Sequence, residues 1–148
     1  MTDDLTPPGL GVEASEAPDT HGNLSFFQDE LTVRLPAHSI YSAVLRTAVA
    51  SVAARADFTV DDIEDLRIAV DEACSILLDR AVPGAQVSCH IAGHAKSVVA
   101  TVSTTVNDRT PPDTSSFAWL LLSALAGAVQ ADVDGDQMTI TLSRARTS

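Results

Sequence analysis

The residues of this sequence best spaced for chemistry lie in the stretch Thr59 to Val82, TVDDIEDLRIAVDEACSILLDRAV. Carboxylates are the groups that proton transfer and cation binding call for, and Asp71, Glu72 and Asp79 are spread along this run. The run has a helical period. Ile63, Leu66, Val70, Ala73, Leu77 and Ala81 recur at steps of three and four, which lays one apolar stripe along a helix. Asp71 and Glu72 fall off that stripe, Ile76 follows Glu72 one turn later, and Asp79 lies near the continuation of the same face, so Glu, Ile and Asp are presented together. The plainer reading of such a face is a solvated acidic side. The ends of the helix are legible. Thr59 caps the start, Asp61 and Asp62 complement the positive helix end, and Pro83-Gly84 closes it.

Other constellations carry little. His90 and His94 would share a metal on a helix, but on a strand they stand about 13 Å apart at roughly 3.3 Å per residue. Asp132, Asp134 and Asp136 around Gly135 lack the register and the closing Glu of a calcium loop and read as a turn. No metal site is expected. The sequence has no GxSxG, P-loop or GxGxxG. Cys74 and Cys89 make no disulfide framework and read as small buried residues, with a redox pair as the alternative.

Around these residues, 148 positions suffice for one domain with a tail. Hydrophobic residues are 45% and aromatics only 4%, so the core must be built from Ala, Val, Leu and Ile. A formal charge of −11 argues against nucleic acid as a direct ligand and for a basic protein partner. No secretory signal is visible in MTDDLTPPGLG, and the apolar run Phe117 to Val129 is shorter than the roughly 20 residues of a membrane span. A soluble cytoplasmic protein without membrane contact is expected.

Residues 1–26 read as a disordered acidic leader, 27–144 as the domain and 145–148 as a tail, with Arg144 and Arg146 near a fraying C-terminus. A half-buried strand is expected from Phe27 to Leu35, ended by Pro36, then a helix from Ser39 to about Ala56 with Ile40, Val44, Thr47, Ala48, Val52 and Ala53 as its stripe and Arg46 and Arg55 exposed. After the central helix come Ala85 to Ala92 and Ser97 to Thr105, an antiparallel hairpin turning at Gly93 to Lys96. A polar loop, VNDRTPPDT, leads to an apolar helix from Phe117 to Gln130, a connection over Ala131 to Asp136, and a last strand from Gln137 to Ser143. Helices against one face of a mixed, largely antiparallel sheet make a two-layer α/β sandwich.

The run DDIEDLRIAVDEACS, with a strand and an arginine-bearing helix before it, resembles the anti-sigma factor serine kinases, members of the histidine-kinase-like ATPase fold. The likeness covers Leu31 to about Arg144 and points to a divergent actinobacterial-type branch. In that family a pattern close to Glu-Ala-Cys-Thr-Asn supplies a general base and, four residues on, an Asn that holds Mg²⁺ against the nucleotide. Here it is matched by Glu72-Ala73-Cys74-Ser75-Ile76, so the base is kept and the metal ligand is lost. The family's Asp-x-Gly-x-Gly is replaced by Thr104-Thr105-Val106-Asn107-Asp108, where Asp108 could read adenine only after a register shift. Its glycine-rich helix start is matched by Ser116-Phe117-Ala118, whose side chains obstruct an approach of backbone to phosphate. Arg46, twenty-six positions before Glu72, matches the arginine placed at the surface that sigma factor and anti-anti-sigma factor share. The resemblance thus implies a homodimeric anti-sigma factor that sequesters a sigma factor and is released by an anti-anti-sigma competitor, with no nucleotide expected. The alternatives are an active kinase that uses Glu72, ATP and Mg²⁺ on an anti-anti-sigma serine, and a scaffold module unrelated to transcription.

Overall fold

The computed structural model describes residues 29–147. The expected leader, and with it Phe27 and Gln28 of the first strand, lies outside the described residues. β1 runs Asp29–Pro36, α1 Ser42–Arg55 after a 3-10 turn at Ser39–Tyr41, α2 Val60–Leu78, β2 Gln86–Gly93, β3 Ser97–Thr105, α3 Phe117–Leu125, β4 Ala128–Asp134 and β5 Gln137–Ala145. The five strands form one sheet in the order β1-β2-β3-β5-β4, and every pairing is antiparallel, so the expected mixed sheet is antiparallel throughout.

Alternation decides the two faces. Val87, Cys89 and Ile91 of β2, Val98, Ala100 and Val102 of β3, and Met138, Ile140 and Leu142 of β5 are all buried under the helices. Between them Ser88, Thr101, Ser103, Thr139 and Thr141 point to the open side, which remains partly solvated. The helical layer contributes Leu45, Val49, Val52, Leu66, Val70, Leu77 and Leu122. Gly93 closes β2 where a Cβ would meet Val52 Cγ1 at 2.8 Å, so its lack of a side chain lets α1 settle on the sheet.

Three expectations are corrected. The core stripe of α1 is Leu45, Val49, Val52 and Ala53, while Ile40 is 68% and Val44 45% exposed. Ile40 falls in the 3-10 turn, and counting the α-helical period from it shifted the stripe. The expected last helix stops at Leu125, and Ala128–Asp134 is a strand. Val129, Ala131 and Val133 alternate inward along it, and the signal was hidden because its first residues continue the apolar run of α3. Gly135, at φ +64, makes the tight turn into β5, so the acidic cluster around it is a hairpin loop. The chain end, finally, does not fray up to Thr147, because that segment is tied to α2.

Candidate functional site

α2 is the platform. The Thr59 side chain accepts from Asp62 N at 3.1 Å and starts the helix, as its sequence predicts. Leu66, Ala69, Val70, Ala73, Cys74 and Leu77 are buried, a stripe wider than the expected one, while Ile63 is only half-buried and Ala81 lies beyond the helix. Its first turn is locked from the other end of the chain. The Asp62 carboxylate, 3% exposed, accepts from Arg144 Nη2 at 2.7 Å, from Thr147 N at 2.9 Å and from the Thr147 hydroxyl at 2.9 Å. Arg144 reaches Asp65 as well, at 3.2 Å, and donates to the Leu125 carbonyl. These donors hold the Asp62 carboxyl well below the usual carboxylate range. Nothing in the sequence points to this cluster, since its partners are 82 and 85 residues apart.

Glu72 is half-buried on α2, and Ile76, one turn on, is half-buried and packed against the core. Beside Glu72, Asp71 accepts from Arg46 Nη1 at 2.8 Å, which ties α2 to α1. The sequence places Arg46 on the exposed side of its helix. Its side chain is 32% exposed and also donates to Ser42 Oγ at 3.3 Å, so it is a partly covered, oriented cation. Arg55 does remain exposed, bonded to Asp29 at 2.6 Å.

Cys74 and Cys89 are both buried and free. Burial pushes the Cys74 thiol up to about 11 and the Cys89 thiol up to about 12, which leaves neither with thiolate character at neutral pH. His90 bonds the Thr32 hydroxyl at 2.9 Å across β1 and β2. Among the described residues no group of three His, Cys, Asp or Glu side chains could hold a metal ion.

The positions that would meet a nucleotide do other work. Thr104 is 1% exposed and its hydroxyl donates to the Gln86 carbonyl at 2.8 Å. Val106 is 1% exposed, and its N–H donates to the Asp136 carbonyl at 2.8 Å. Asp108 accepts from Thr110 N at 2.9 Å, which lowers its pKa and makes it a loop-forming residue. Arg80 pins the same loop by donating to the Thr110 carbonyl. Ser116 caps α3 by accepting from Trp119 N at 3.1 Å, so one of the amide donors a phosphate would need is already taken. Ala118 is half-buried behind it, and Trp119 is 8% exposed in the core. Set against the pattern of the family it resembles, the chain has an isoleucine for the metal ligand, a threonine for the aspartate, a valine for a glycine, and a helix start with one amide already bonded.

The helices lie over one face of the antiparallel sheet, with the carboxylate-bearing α2 among them and a loop before α3, a two-layer α/β sandwich. No family model matches the chain. The anti-sigma-F factor RsbW of Mycobacterium tuberculosis is 34% identical over 115 residues, which cover 72% of this chain and 68% of that protein. The serine-protein kinase RsbW of Bacillus cereus is 40% identical over 53 residues, 36% of this chain and 33% of the relative. A solved structure of the RsbU and RsbW domains of a Mycobacterium tuberculosis protein superimposes with a TM-score of 0.60 at 19% identity, over 81% of this chain and 33% of that one. The chain belongs to the RsbW family of anti-sigma factors.

Proposed function

We propose that this protein is a sequestering anti-sigma factor: it binds a sigma factor, keeps it from transcription, and gives it up when an anti-anti-sigma factor competes. The observation that carries the reading is position 76. Glu72 is retained on α2, but the residue one turn on is Ile76, a side chain with no oxygen to offer and one packed into the core. Capture without phosphoryl transfer is the activity that such a site leaves. Arg46, oriented by Asp71, is the partner-facing cation in this reading, and the surplus of acidic residues favours encounter with a basic sigma-factor surface. The protein acts in the cytoplasm as a homodimer, as the family resemblance implies. No helix among the described residues is long and apolar enough to cross a membrane.

Active serine phosphorylation is the second reading, favoured by the retained Glu72 and by the kinase name of the Bacillus cereus relative. Calorimetric titration with Mg-ATP, run beside titrations with purified sigma factors from the same cell, separates the two. Sigma binding with no nucleotide heat is the expected result. Saturable Mg-ATP binding, followed by phosphate on a serine of the antagonist, would overturn it.

A further inference from the structure

The open face of the sheet, on the side away from α1 and α2, carries a polar cavity of about 620 Å³. Its floor follows from the strand register. Arg34, Ser88 and Ser103 face one another across β1, β2 and β3, and one pleat nearer the sheet end Gln86, Thr105 and Gln137 do so across β2, β3 and β5. Gly84 and Ala85 form the rim and send no long side chain over it. Backbone bonds hold this rim still: Ala37 N donates to the Ala85 carbonyl at 3.0 Å, and Val82 N donates to the Thr105 carbonyl at 3.0 Å.

The lining is unusual for this molecule. Acidic residues outnumber basic ones by 20 to 9 in the chain, yet among the described residues the cavity is lined by a guanidinium, two carboxamides and three hydroxyls, with no carboxylate. Arg34 makes no ion pair or side-chain hydrogen bond with another described residue, and its guanidinium presents a fork of N–H donors at the cavity. The acids on this face stand apart from the guanidinium. Glu30 lies four residues back along β1, toward His90, and Asp132 lies on the edge strand β4, while Asp134 stands opposite Gln137, at the end of the cavity away from Arg34 and with three strands between them. Gln137 Nε2 donates to Thr105 Oγ1 at 2.6 Å, which leaves the Thr105 hydroxyl proton to point outward.

We propose that the cavity formed by Arg34, Gln86, Ser88, Ser103, Thr105 and Gln137 binds a small polyhydroxylated phosphomonoester, with the phosphate on Arg34 and the hydroxyls along the two rows. A guanidinium matches a phosphate with two parallel N–H donors, a geometry that no hydroxyl provides. The rows beyond it alternate hydroxyl and carboxamide groups that both donate and accept, the capacity that a polyol requires. Among the described residues no aromatic side chain lines the cavity, so they offer a nucleobase nothing to stack on, and the volume falls in the range of small-molecule sites.

The test uses the full chain, isotope-labelled, titrated with glycerol 3-phosphate, inorganic phosphate and glycerol while backbone amide shifts are followed. Glycerol 3-phosphate is expected to move the amides of Arg34, Ser88, Ser103 and Thr105 saturably, with inorganic phosphate at least about threefold weaker and glycerol silent below about 10 mM. Arg34→Met is expected to weaken the glycerol phosphate by about tenfold or more while the thermal unfolding midpoint stays in place, and Ser103→Ala to weaken it without changing the affinity for inorganic phosphate. Equal affinity for the two phosphates would overturn the polyol assignment. Shifts centred on Arg46 or Arg144, or none at all, would overturn the site.

Discussion

In the function proposed above, Ile76 and Arg46 are the residues that matter most. In the proposed reading the loss of nucleotide fit is spread over Ile76, Thr104, Val106 and Ser116, so restoring one oxygen is not expected to rebuild the site. Ile76→Asn is therefore expected to show no Mg-ATP heat in calorimetry, and to cost about 1–3 kcal/mol of stability because an amide replaces a methyl-bearing side chain packed on the core. A measurable nucleotide affinity from that single change would mean the pocket is intact. Arg46→Ala removes a half-exposed ion pair with Asp71, whose contribution to folding is only about 0.2–1 kcal/mol. Its effect on sigma-factor capture should be far larger, about tenfold or more in affinity, since a charge facing a desolvated partner is worth more than one facing water. A stability loss that matches the affinity loss would make Arg46 a merely structural residue.

At the scale of elements, α2 is held at its flank and at its first turn. Leu66, fully buried, anchors the flank, and Leu66→Ala is expected to lower unfolding free energy by about 2–5 kcal/mol in denaturant titration. A loss under about 1 kcal/mol would show that the core closes around the gap. The first turn depends on Asp62, Arg144 and Thr147. The Asp62 carboxyl is depressed in the folded protein, so its contribution is complete above the unfolded value near 4 and is lost as pH falls through the lower folded value. The unfolding midpoint of the wild type should therefore drop as the pH is taken below about 4, and Asp62→Asn should be less stable at neutral pH but flatter against acid. Superimposable acid profiles for the two proteins would remove the latch from the account.

For the whole molecule, charge governs encounter. With a formal charge of −11, association with a basic sigma-factor surface should slow as salt is raised from about 50 to about 500 mM while dissociation changes little, because screening acts on the long-range approach. Stopped-flow association at several ionic strengths measures this. A flat salt dependence would mean that the acidic surplus serves solubility alone. The same scale shows a division of surfaces: the helical layer carries Glu72 and Arg46, while the open face of the sheet carries Arg34 and its ring of hydroxyls and amides.

Periodic, local features could be read from the residues alone: the capped central helix, the hairpin of β2 and β3 and the two buried cysteines follow from spacing and residue type within a few turns of chain, whereas the reading of Ile76 in place of a metal ligand rests on the family resemblance. β4 was legible in principle, since Val129, Ala131 and Val133 alternate before a Gly-Asp turn, but an apolar run shared with α3 masked the change of period. What the tertiary structure alone decided are the contacts between distant segments. Arg144 and Thr147 close on Asp62 across more than 80 residues, Arg46 is committed to Asp71 from a neighbouring helix, and Arg34 and Gln137, on the first and last strands, line one cavity. Local pattern encodes which face of an element is apolar, whereas a polar side chain finds its partner only once the sheet order and helix packing have brought the two within hydrogen-bond reach.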